Sequence, residues 1–69
     1  PMSMNDLEQA LDPARFFRLN RQYIANIKGI RKISLYFGSK LMVKLKDCKD
    51  DNIVISKEKA TLFKKWLEK

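Results

Sequence analysis

The sequence predicts a small, mainly β domain of antiparallel strands with a short helix near either end. Apolar residues alternate with polar ones in short runs at residues 15–19, 28–37 and 41–45, the period-2 signature of strands with one buried face. Helical spacing is confined to residues 4–11 and 57–67. Gly38-Ser39 stands between two alternating runs, where a hairpin would turn. The predicted order is helix, strand, loop, long hairpin, strand, helix. With 69 residues there is room for one domain, and one of this size buries only about 60% of its unfolded surface. The strands are few for an apolar content of 45%, so the sheet is expected to lack part of its complement.

Ser3-Met4-Asn5-Asp6 reads as a capping box, with the Asp6 carboxylate also favouring the positive helix end. Met4, Leu7, Ala10 and Leu11 share a face, and Asp12-Pro13 stops the helix because the residue before proline leaves the helical region. Two turns are too few to be stable unless packed on something. In the next run Phe17 and Leu19 oppose Phe16 and Arg18, and residues 20–27 then read as an irregular loop. In the hairpin, a two-residue turn would set Phe37 opposite Lys40 and mix the faces. A three-residue loop at 38–40 sets Phe37 opposite Leu41, Leu35 opposite Val43 and Ile33 opposite Leu45, so an odd loop or a bulge is favoured. Residues 47–52 form a polar connector and residues 53–55 a short strand. Ser56 is placed to cap a helix at 57–67. Its apolar arc is Ala60, Leu62, Phe63, Trp66 and Leu67. Lys59 falls inside that arc, where its stem lies along the core and the ammonium snorkels out, or where it meets a partner's charge.

Composition narrows the function. One cysteine, Cys48, and no histidine fit a reducing, cytoplasmic setting and remove the usual zinc-ligand sets and the commonest proton-transfer residue. The only glycines are Gly29 and Gly38, so there is no glycine-rich phosphate loop. No enzyme, catalytic residue, metal or cofactor is expected. No apolar run approaches the ~18 residues of a membrane span. The net charge is +7, unevenly spread. Residues 1–12 carry Asp6, Glu8 and Asp12 and no basic side chain, hence −3; residues 13–69 hold all fifteen basic side chains and five acids, hence +10. Such a body attracts a polyanion, of which nucleic acid is the commonest in a cytosol. The plainer reading is a solvated surface.

The run "FFRLNRQYIAN" at residues 16–26 resembles the signature of the LytTR DNA-binding domain family. That signature is Phe, any residue, Arg, an aliphatic, His or Asn, Arg, Ser or Gln, an aromatic, two aliphatics and Asn. Ile30, Ile33 and "VKLKD" at 43–47 are similar to its central strands, and "IVISK" at 53–57 to the strand and turn before its last helix. The likeness covers about residues 3–67. Asn20 stands where His is commoner, Gln22 where Ser is commoner, Cys48 where a turn Gly is usual, and Lys57 where Arg is typical. The resemblance implies a mainly β fold at the output end of a bacterial response regulator, in the same polypeptide as a receiver domain of a two-component system. It implies transcription regulation by sequence-specific binding of double-stranded DNA, with loops in successive major grooves and often two copies on direct repeats. Family domains carry two or three strands ahead of the short helix, and this chain starts at that helix. A truncated, incomplete single domain over residues 1–69 is therefore expected, borrowing packing from a neighbouring copy as a homodimer or by strand exchange.

The polar cluster after Phe16 and Phe17 then has a use. A strand anchored by two aromatics holds the residues beyond it at a fixed angle. Arg21 is able to donate two hydrogen bonds to guanine O6 and N7, and Asn20 and Gln22 to pair with adenine N6 and N7. By the resemblance Arg21 is the best base-contact candidate; Asn20 and Gln22 have the other reading of holding the loop or touching phosphate. Asn26 is expected to satisfy loop backbone, and Tyr23 and Ile24 to join the core. Arg18 pairs either with an acid or with a phosphate. Ser56 and Lys57, at a helix start, suit an anion, with Lys57 at the family's basic contact position and otherwise an exposed lysine. Lys44 and Lys59 are further phosphate candidates, within a general field from Lys28, Arg31, Lys32, Lys40, Lys46 and Lys49. Two other classes remain. One is an RNA or single-strand module stacking bases on Phe16, Phe17, Tyr36 and Phe37; the other is a protein-interaction or dimerisation piece that pairs through a strand edge.

Overall fold

Two antiparallel sheets and two helices make up the fold in a computed structural model, which describes residues 3–50 and 52–68. Helix α1 (Met4–Ala10) leads into β1 (Phe16–Arg18) and β2 (Ile24–Asn26), which pair with each other. Then come β3 (Ile30–Tyr36), β4 (Lys40–Leu45) and β5 (Ile53–Ile55), a second sheet in the order β3-β4-β5, and finally α2 (Lys57–Leu67). The mainly β class with short helices is as the sequence predicts.

Helix α1 begins with the capping box: the Asp6 N–H donates to Ser3 Oγ at 3.1 Å and the Ser3 N–H to Asp6 Oδ2 at 3.4 Å. After it, Asp12 closes an Asx turn by accepting from the Ala14 N–H at 2.9 Å. None of the residues of α1 is buried. The helix packs on β1, where Asn5 and Glu8 accept from Arg18.

Residues 20–27 are not all loop. Ile24–Asn26 form β2, with Phe17 opposite Ala25. Ala25 is buried, Ile24 is half-buried and Asn26 is exposed. Three residues with one alanine inward are too short a pattern for alternation to register. Asn26 then caps a 3₁₀ turn at Ile27–Gly29, its side chain accepting from the Lys28 N–H at 2.9 Å.

The hairpin turns in an odd loop, as predicted, but its register lies two residues from the expected one. The loop is Phe37–Ser39, and the pairs are Tyr36 with Lys40, Leu35 with Leu41 and Ile33 with Val43. A shift of two keeps every side chain on its face, so hydrophobic alternation does not discriminate the two registers. Gly38 and Ser39 both take positive φ, 71° and 61°, but they lie inside either three-residue loop, so the turn residues do not separate the registers either. A bulge between Ile30 and Lys32 brings Ile30 opposite Leu45, joining an even-numbered residue to the apolar face.

The core is Leu19, Ala25, Leu41, Val43, Ile53, Ile55, Ala60, Phe63 and Trp66. Helix α2 packs its buried face, Ala60, Phe63 and Trp66, against it. The Phe17 ring lies 5.3 Å from both Phe63 and Trp66, and the Trp66 Nε1–H donates to Pro13 O at 2.9 Å, which ties α2 to the link between α1 and β1. Phe37 and Leu35 are not core residues, being 72% and 84% exposed. Leu35 lies on β3, an edge strand of the three-stranded sheet, and Phe37 in the turn that follows it. Leu62 is likewise exposed, on the flank of α2 that borders an open groove of about 840 Å³ lined by Leu11, Pro13, Phe16, Phe17 and Trp66.

Candidate nucleic-acid interface

The loop between β1 and β2 is short, and its own residues hold it. Leu19 is buried and its N–H donates to Tyr23 O at 2.9 Å, closing the loop at its base. The Asn20 carboxamide Oδ1 accepts from the Gln22 N–H at 2.8 Å and the Tyr23 N–H at 3.0 Å, while Nδ2 donates to Val54 O on β5 at 3.4 Å. This is the loop-holding reading of Asn20, and it links the loop to the strand that precedes α2. Arg18 closes the loop from the other side. Its Nε donates to Asn20 O at 3.0 Å and its Nη2 to Arg21 O at 3.2 Å. Its Nη1 reaches α1, donating to Asn5 Oδ1 and to Glu8 Oε1, the latter at 3.3 Å. Between acid and phosphate, the acid is what Arg18 meets in the free chain.

What remains outward is Arg21 and Gln22, both exposed. Among the described residues the Arg21 guanidinium makes no salt bridge, although Arg15 and Arg18 each have one. The Arg21 guanidinium carries five donors and has no acceptor among the described residues, on a loop held by Arg18 and Asn20.

Tyr23 ends the loop. It is half-buried, as a core residue, but its hydroxyl donates to Asp50 Oδ2 at 3.0 Å, and Asp50 Oδ1 accepts from the Asn52 N–H at 2.9 Å. The hydrogen bond to Asp50, with desolvation and the Asp50 and Cys48 charges adding to it, raises the Tyr23 pKa above its ordinary 10.0. Of the connector at 47–52 the sequence marks only Lys49 for the interface, as part of the general basic field. Asp50 lies 27 residues along the chain from Tyr23, and no local pattern marks the pairing.

Helix α2 starts on the other side of the Asn20–Val54 bond. Ser56 Oγ accepts from the Lys59 N–H at 3.3 Å, and Lys57 is exposed in the first turn. The Lys59 ammonium sits 5.2 Å from the centroid of the Phe17 ring, the snorkelling arrangement with a cation–π contact added. A cleft of about 520 Å³ is lined by Asn5, Glu8, Arg18, Asn20, Arg21 and Lys59. The structure thus brings Arg18, Asn20, Arg21 and Lys59 to one cleft, with Ser56 and Lys57 close by in sequence. Lys44 lies elsewhere, on β4 opposite Lys32.

The comparisons with known proteins agree with the signature. The LytTr DNA-binding domain model matches residues 1–68. The chain is 31% identical over 67 residues to the transcriptional regulatory protein YpdB of Escherichia coli (strain K12), and equally to that of Shigella flexneri. In both cases 97% of this chain is covered and 27% of the relative, so the chain spans about a quarter of the length of the curated relatives it matches. No solved structure matches it. The chain belongs to the LytTr DNA-binding domain family.

Proposed function

We propose that this domain reads double-stranded DNA with the tip of the β1–β2 loop, Arg21 donating to guanine O6 and N7 in a major groove and Gln22 beside it. Ser56 and Lys57 hold a phosphate or a neighbouring base at the start of α2, Lys59 and Lys44 add to the phosphate field, and Arg18 and Asn20 hold the loop in place of touching DNA. The observation that carries this reading is an exposed Arg21 without a salt bridge on a loop pinned from both sides. The chain acts by binding and not by catalysis.

Selection from a pool of randomised duplexes tests the assignment. The unmodified chain should enrich a motif containing guanine, and Arg21→Ala should flatten the preference at one position by about 1–3 kcal/mol. An unchanged preference profile in Arg21→Ala refutes the base-reading role. Lysine presents a point charge and not a fork, so Lys57→Ala should weaken all duplexes more evenly. It should also reduce the slope of log K against log salt by about 0.9.

The wider setting follows the same reading: a cytoplasmic output domain whose native polypeptide also holds a receiver domain, binding direct repeats. The domain is incomplete on its own and completes its packing with a further segment or a second copy. The uncovered apolar row on the β3 edge favours homodimer formation or strand exchange there. Base stacking on single strands is the weaker alternative, because Phe17 already packs on Phe63 and Trp66.

A further inference from the structure

We infer that Arg18 is a positioning residue that couples α1 to the reading loop, so that the seating of α1 on Arg18 sets how sharply the domain discriminates sequences. The inference rests on the proposal that Arg21 reads bases.

One guanidinium spans two structural units. Two of its nitrogens hold the carbonyls of Asn20 and Arg21, the two residues that carry the loop into its tip. Its third nitrogen is held by Asn5 and Glu8 on successive turns of α1. The side chain is only 14% exposed, against 45% for that of Glu8; its Nε bond to Asn20 O is half-buried, whereas the Nη2 bond to Arg21 O and both α1 anchors lie at the solvent edge. The planar fork has a fixed shape. Anchoring one nitrogen on α1 therefore fixes the direction in which the other two pull the loop carbonyls.

Helix α1 is suited to be the movable member. It buries none of its residues and has seven of them, too few for independent stability. Its Ser3–Asp6 capping box is independent of Arg18. Whatever shifts α1 by an ångström or two, whether a preceding segment or a second copy, would release Arg18 Nη1 without touching the core or the groups proposed to meet DNA. Bidentate recognition of guanine depends on orientation, whereas attraction to phosphates does not. Loosening the brace should therefore cost discrimination and spare general affinity.

The double variant Asn5→Ala/Glu8→Ala removes the α1 anchors from two exposed positions and leaves Arg18, Asn20 and Arg21 in place. Two readouts are needed. The first is amide hydrogen exchange without DNA at Gln22 and Tyr23, whose N–H groups are held by Asn20. Their exchange should quicken by about fivefold, as for a weakened charged hydrogen bond, while Val43 in β4 keeps its rate. The second is the selection profile on randomised duplexes, which should broaden while affinity for a random-sequence duplex stays within about twofold. Arg18→Lys, which keeps the charge and loses the fork, should give the same broadening.

Unchanged exchange at Gln22 and Tyr23 overturns the coupling, whether or not DNA is bound. Quickened exchange with an undiminished profile overturns its link to reading. Specific and random affinity falling together, with Val43 exchange quickened too, shows a merely structural role and also overturns it. The parent reading fails separately: there, Arg21→Ala itself leaves the profile of the unmodified chain intact.

Discussion

Arg18 and Asn20 divide the work of the loop with Arg21 in a way that the chemistry of their side chains dictates. A carboxamide accepts two backbone N–H groups and donates once, which is what Asn20 does; a guanidinium donates to carbonyls, which is what Arg18 does. Arg21 is left outside this arrangement. The exposed arginine was legible from the signature run, and so was the choice for Arg18 between acid and phosphate. The partners of Arg18 were not legible, because Asn5 and Glu8 lie 13 and 10 residues upstream on a different element. Tyr23 carries a prediction at this scale. Its raised pKa means that the folded state favours the protonated phenol, which donates to Asp50. The stabilisation is therefore intact below the ordinary tyrosine value of 10.0 and is lost as pH rises through the higher folded value. Urea melts of the unmodified chain between about pH 8 and about pH 11 should show a decline that is shallower in Tyr23→Phe. Parallel declines would remove Tyr23 from the account.

Strands and helices follow sequence wherever a pattern is long enough to be distinctive. The capping box, the Asp12-Pro13 stop, the buried face of α2 at Ala60, Phe63 and Trp66, and the odd hairpin loop all stand in the sequence. The three residues of β2 do not, and neither does the choice between hairpin registers two residues apart, which present the same faces. The elements are then tied together by a few polar bonds that span long stretches of chain. The bond from Trp66 Nε1 to Pro13 O joins α2 to the turn that starts β1, across 53 residues. Trp66→Phe keeps an aromatic against Phe17 and loses that bond. It should lower the unfolding free energy by about 1–2 kcal/mol in denaturant titration and leave DNA discrimination unchanged, since the loop is held by Arg18 and Asn20. A loss of discrimination in this variant would show that the loop depends on the seating of α2 more than on its own side chains.

Across the whole molecule the charge is as informative as the fold. An acidic stretch of −3 precedes a body of +10, and Glu8 pairs with Arg18 while Arg21 has no salt bridge among the described residues. The apolar side chains left uncovered at this end of the hairpin are Leu35 on β3 and Phe37 in the turn that follows it, 84% and 72% exposed. Which residues would be left bare was not legible, since alternation marks a face as apolar without saying whether anything lies over it. Light scattering over a concentration series, without DNA, should show self-association that Leu35→Lys/Phe37→Lys abolishes with little change in thermal midpoint. A chain that stays monomeric at every concentration would remove the β3 edge as a dimer surface. No helix among the described residues is long and apolar enough to cross a membrane.

The contact between Arg21 and guanine N7 is open to a single-atom test. Within the selected duplex, each guanine of the motif is replaced in turn by 7-deazaguanine, which lacks the N7 acceptor. At one position the unmodified chain should lose about 1–3 kcal/mol, and Arg21→Ala should lose nothing further, so that the two changes are fully coupled. Equal losses in both proteins at every guanine would mean that Arg21 does not read the base, and the proposed reader would be wrong.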